Sequence, residues 1–122
     1  MKYPKMRNEL ILYLKGLSDA VYQQFCWVEH NCQNGVEYDE FDLAVHFLFD
    51  DTTLFSEPES WIGLCLKDKE EAFKIKKVCD AIEVIFEKYG TELQDKEYIA
   101  LAEWKIVIDT ATEAYKYFRD NL

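Results

Sequence analysis

FDLAVHFLFDDT, residues 41–52, is the stretch that decides the fold class, because it satisfies two periodicities at once. Phe41, Leu43, Val45, Phe47 and Phe49 alternate as in a strand, whereas Phe41, Val45, Leu48 and Phe49 lie along one face of a helix. Asp39 stands ahead of the run as a helix cap and no second strand lies near it in sequence, so the helix is favoured. The chain is then all-α; a strand at 41–49 would make it α+β. As a helix the segment is apolar nearly all round between Leu43 and Phe49, which places it near the centre of the molecule with its acidic ends projecting.

Upstream, Pro4 suits a first helical turn, and Met6, Leu10, Tyr13, Leu14 and Leu17 repeat along one helix face until Gly16 and Ser18 break it. Ser18 or Asp19 caps a second helix, in which Val21, Phe25, Val28 and Cys32 form the apolar face and Asn34-Gly35 supplies a left-handed stop. Downstream, residues 50–60 read as a loop, with Pro58 opening a short helix through Trp61 and Ile62. Asp68 and Glu71 resemble a capping box ahead of an unbroken seam of Ile75, Val78, Cys79, Ile82, Ile85, Phe86 and Tyr89, which ends at Gly90. A turn of helix around Tyr98 precedes a last amphipathic helix carrying Trp104, Ile108, Ala111, Tyr115 and Phe118. The reading is a single-domain bundle of about five helices over residues 1–122, with no internal repeat, low-complexity segment or linker.

Charge is distributed unevenly. Residues 16–66 hold Asp19, Glu29, Glu37, Asp39, Glu40, Asp42, Asp50, Asp51, Glu57 and Glu59 without a single Lys or Arg, so the formal charge of −10 resides there. A pI near 4.6 argues against nucleic acid and anionic membrane as direct partners, since both require Lys and Arg against phosphate. A cationic protein is the better match. MKYPKMRNEL lacks the apolar core of a secretion signal, and no run approaches the roughly 20 apolar residues of a membrane span, so a cytoplasmic protein is expected. Cys26, Cys32, Cys65 and Cys79 lack the spacing of a disulfide framework and are expected as reduced thiols.

Three groups of residues invite a chemical reading. Cys26, His30 and Cys32 in CWVEHNC fall short of the four ligands of a structural zinc site, and buried thiols explain them better. His46 with Asp50 and Asp51 could form a general base oriented by a carboxylate, but no local motif places a nucleophile beside them and no glycine-rich turn builds an oxyanion hole. A core histidine bonded to a carboxylate or carbonyl is the plainer account. Asp39, Asp42, Asp50 and Asp51 lack the glycine and terminal glutamate of a calcium loop. No cofactor and no metal follow from these groups. The acidic stretch itself reads either as a solvated face or as a binding surface; ten uncompensated acids repel one another, and a basic partner would offset that cost. Tyr38, Phe55 and Trp61 lie in the same stretch and are the residue types that anchor interfaces, with core packing the alternative for each.

MRNELILYLKGLSDAVYQQFCWV, FDLAVHFLFDDTTL and PESWIGLCLKDKEEA, which cover about the first 70 residues, resemble the blocks of a small acidic family of bacterial helical proteins. Some of its members are similar to immunity proteins of contact-dependent growth inhibition and related polymorphic toxin systems. That resemblance implies a cytoplasmic protein, not an enzyme, that binds and neutralises the C-terminal toxin domain of its own system. Such toxins are frequently nucleases with a basic surface. The residues offered for the contact are Tyr38, Asp39, Glu40, Asp42, Asp50, Asp51, Phe55, Glu57, Glu59 and Trp61. A small hydrolase or metal-dependent enzyme centred on His46, Asp50 and Asp51, and an acidic adaptor for another basic protein, are the alternatives. The sequence sets no oligomeric state.

Overall fold

The computed structural model describes residues 1–33 and 35–121; Asn34, half of the expected Asn34-Gly35 stop, lies outside the described residues. The chain is all-α. In order it forms α1 (Pro4–Leu17), α2 (Ala20–Tyr22), a first π-helical segment (Gln23–Val28), α3 (Phe41–Val45), a second π segment (His46–Asp51), a 3₁₀ turn (Pro58–Trp61), α4 (Lys69–Tyr89), α5 (Asp95–Tyr98) and α6 (Trp104–Asp120). Among the described residues there is no strand, only an isolated bridge between Ile62 and Leu66, so residues 41–49 are helical. Among them, no helix is long and apolar enough to cross a membrane.

α6 packs against both α4 and α1 and forms the axis of a three-helix bundle. Its direction follows from side-chain contacts. Lys88 and Tyr89 at the end of α4 bond Glu103 just before α6, while Tyr117 near the end of α6 reaches Asp68 at the start of α4, so these two helices are antiparallel. The core carries the spacing expected from sequence: Leu10, Leu14 and Leu17 of α1, Ile75, Val78, Cys79, Ile82 and Ile85 of α4, and Trp104, Ala111 and Phe118 of α6 are buried. Asp68 accepts the Glu71 N–H at 2.8 Å and starts α4; Gly90, at φ +83°, ends it.

The Glu71 carboxylate does not turn back on Asp68 to complete a capping box. It takes a bidentate pair from Arg7 (2.7 Å at each oxygen) and the Lys67 N–H at 2.7 Å. Arg7 also donates to the Cys65 carbonyl and lies over the Phe118 ring. The pair is buried and ties α1, α4 and α6 at one end of the bundle. Bonding to Glu71 outweighs burial and raises the Arg7 pKa.

The second helix departs from expectation. Asp19 caps it, accepting the Tyr22 N–H at 3.0 Å, but Val21 and Phe25 face solvent, 66% and 47% exposed, while Gln23, Cys26 and Trp27 point inward. The reason is polar. Gln23 is fully buried, donates to the carbonyls of Gly16 and Leu17 and accepts the Trp104 indole N–H at 2.9 Å, which locks the opposite face to α6. The helix also ends early: Val28 is its last residue, and His30 takes φ +58°. This left-handed turn brings the Cys26 and Cys32 Cα atoms to 4.3 Å, and the two are joined in a disulfide rather than left as thiols. Cys65 and Cys79 are free and buried. Burial pushes the Cys65 thiol up to about 11.

Candidate partner-binding face

Two helix starts meet at the centre of the acidic stretch. Glu40, the N-cap of α3, gives no side-chain oxygen to the first turn. The Phe41 N–H donates instead to Asp95 Oδ2 at 3.1 Å, and Asp95 is the first residue of α5, itself opened by a reciprocal capping box between Gln94 and Glu97. Acids at both starts oppose the partial positive charge of the unsatisfied N–H groups. Asp39, which the sequence points to as the cap of α3, turns inward. It accepts the Tyr22 hydroxyl at 2.5 Å and the Trp27 indole N–H at 3.1 Å through one oxygen, and the Glu40 N–H at 2.9 Å through the other. Those bonds pin the start of α3 to the first π segment. Burial and the Asp39 contact push the Tyr22 phenol up.

α3 and the second π segment bury one side. Phe41 sits among Trp27, Trp104, Tyr98 and Phe86, with ring centroids 4.9–6.0 Å away. Ala44, Phe47 and Leu48 complete the buried side, while Leu43 is 39% exposed, so the helix is one-sided and not enclosed all round. His46 lies on the outer side, its side chain 54% accessible, and not among apolar neighbours. Its Nδ1 is 2.6 Å from Asp50 Oδ2 and its Nε2 3.2 Å from Asp42 Oδ2. The Asp50 bond and then the Asp42 charge raise its pKa. A carboxylate stands beside each ring nitrogen, an arrangement that favours the charged imidazole. Among the described residues no three His, Cys, Asp or Glu side chains gather to hold a metal.

Asp42, Asp50, Asp51, Glu57 and Glu59 are exposed, Asp50 and Asp51 at the open end of the second π segment. Glu40 is half-buried and accepts the hydroxyl of Tyr38, which is exposed. The other two aromatic anchors are committed to packing: Phe55 stacks on Phe49 at 5.1 Å, and Trp61 donates its indole N–H to Thr53 at 2.9 Å. Val21 and Phe25 take their place as exposed apolar side chains in the stretch.

A groove of about 660 Å³ opens between the end of the first π segment, the start of α3 and residues 91–96. Its apolar lining includes the half-buried Val28, Val45, Phe86 and Leu93; Glu40, Asp42, Glu92 and Asp95 stand around it, with Lys96 as the one Lys or Arg in its lining. Burial, opposed by the Phe41 N–H, and the carboxylates of Glu40, Asp42 and Asp39 hold the Asp95 carboxyl above its ordinary range. Glu92 and Asp95 escape a sequence reading because they belong to the charge-balanced part of the chain and join the acidic stretch only through the fold.

The model of a family described as a domain of unknown function, DUF7945, matches residues 1–121. The chain belongs to this family. No curated protein and no solved structure matches the chain. For this DUF7945 member, therefore, the groove and the charges around it are the ground on which function is argued.

Proposed function

We propose that the chain is a stoichiometric binding protein for a cationic protein, and specifically an immunity protein that covers the basic surface of a toxin domain from its own system. One observation carries the reading. The Lys and Arg ion pairs among the described residues go to Glu70, Glu71, Asp80, Glu103, Asp109 and Asp120, all outside residues 16–66. The charge separation in the sequence thus survives folding; among the described residues, the ion-pair geometry within the acidic stretch is that of His46 with Asp42 and Asp50. A field of one sign over a face speeds encounter with the opposite sign and weakens with salt. The immunity form of the reading, and a cytoplasmic location with it, rests on the resemblance of the FDLAVHFLFDDTTL and flanking blocks.

The test is co-expression with the C-terminal domain encoded immediately upstream in the source genome, scoring survival and a one-to-one complex at low and high salt. Rescue with a complex that loosens in salt, and loosens further in Asp50→Lys/Asp51→Lys, supports the proposal. A harmless neighbour that forms no complex defeats it. A complex with a basic neighbour that is not toxic replaces immunity with an adaptor role.

A further inference from the structure

Resting on the reading that the partner is a cationic protein, we infer that the groove between the first π segment, α3 and residues 91–96 receives an arginine of that partner, presented on an extended segment. The groove, at about 660 Å³, lies within the range of small-ligand sites and exceeds what one side chain fills, so the arginine enters with its chain neighbours. Val45, Phe86 and Leu93 give an apolar surface for the alkyl stem, and the Phe86 ring can meet a guanidinium face. Glu40, Asp42, Glu92 and Asp95 surround it against a single Lys96. A planar fork addresses two of these carboxylates at once and is more weakly hydrated than an ammonium, which selects arginine over lysine.

The walls are fixed before any partner arrives. Trp27 is bonded to Asp39, and Asp95 joins the two sides through Phe41. Preformed walls spare the ordering cost of binding.

The probe is the blocked tripeptide acetyl-Ala-Arg-Ala-amide, titrated into the full chain and followed by amide and indole NMR shifts, with the citrulline tripeptide as the uncharged control. Saturable shifts at Trp27, Val45 and residues 91–96, absent with citrulline and weakened about tenfold or more in Asp42→Asn/Glu92→Gln, are expected for a lost bidentate charged contact. Both carboxylates are exposed, so the variant leaves the fold in place; its unshifted remaining resonances check this. Shifts spread evenly over Asp50, Asp51, Glu57 and Glu59 and unchanged in the variant overturn the groove while leaving the acidic face as a general attractor. Absence of shifts overturns the groove as well. Neither result touches the co-expression test, which decides the binding role separately.

Discussion

In α4 and α6 the helical spacing of apolar residues runs without interruption for 21 and 17 residues, whereas between Asp19 and Trp61 the longest α-helical run is the five residues of α3. On either side of α3 the chain widens into π turns or tightens to 3₁₀. The bundle is held by repetitive apolar packing, with the buried Arg7–Glu71 pair as a singular polar tie at one end. The acidic region also buries Trp27, Phe41, Phe47, Leu48 and Leu54, but its short, irregular turns are fixed by a few singular polar contacts, at Gln23, Asp39, Thr52 and Asp95. On the proposed binding role, the regular bundle supplies the scaffold and the irregular acidic region the binding face.

The largest expected effect breaks the bundle itself. Glu71→Ala leaves Arg7 buried without its carboxylate and is expected to cost about 3–5 kcal/mol in urea unfolding. A loss below about 1 kcal/mol would mean that the bundle does not depend on the pair. Next, Asp39→Ala removes the acceptor of Tyr22, Trp27 and the Glu40 N–H and is expected to cost about 2–3 kcal/mol. Hydrogen exchange should show it: amides of residues 20–28 and 41–51 open first while those of α4 and α6 keep their protection. Equal loosening of both parts would erase the contrast between them.

A third test concerns the Cys26–Cys32 bond, which closes a short loop in the acidic region. On loop-closure grounds Cys26→Ser/Cys32→Ser, or a reductant, is expected to lower stability by about 2 kcal/mol, read as a fall in Tm. A Tm indifferent to reductant would show that the loop is held by His30 and its neighbours alone. The smallest effect is at His46. Its pKa is higher folded than unfolded, so the stabilisation from Asp50 and Asp42 is fully present below about pH 6.5 and fades as pH rises through the folded value. The Tm of the wild type should therefore decline slightly more than that of His46→Gln between pH 6 and 8. Parallel curves would remove the histidine bridge from the account.

The same contrast governs what could be seen in the sequence. α1, α4, α6 and even the short α5 are legible, because apolar spacing and end signals such as Pro4, Asp68 and Gly90 are local. Helix two is legible in its start at Asp19 and misleading in its face. Periodicity counts apolar residues, and the inward side is set by Gln23, whose partner Trp104 lies 81 positions away. Arg7 with Glu71, at a separation of 64, and Phe41 with Asp95, at 54, are equally invisible to spacing. The acidic face is plain from composition, but Tyr38 alone of its three proposed aromatics is exposed, since a count of residue types does not say which rings find a neighbour.

The bond from the Phe41 N–H to Asp95 also sets a schedule for the newborn chain. Helix α3 receives its cap from a residue made 54 positions later, an interval of about 3–11 seconds at translation rates of about 5–20 residues per second. Throughout that wait Phe41, Phe47 and Leu48 have no α6, and α4 is complete only near its end. The dense carboxylates around them then act as gatekeepers, keeping one unfinished chain from sticking to the next on a polysome.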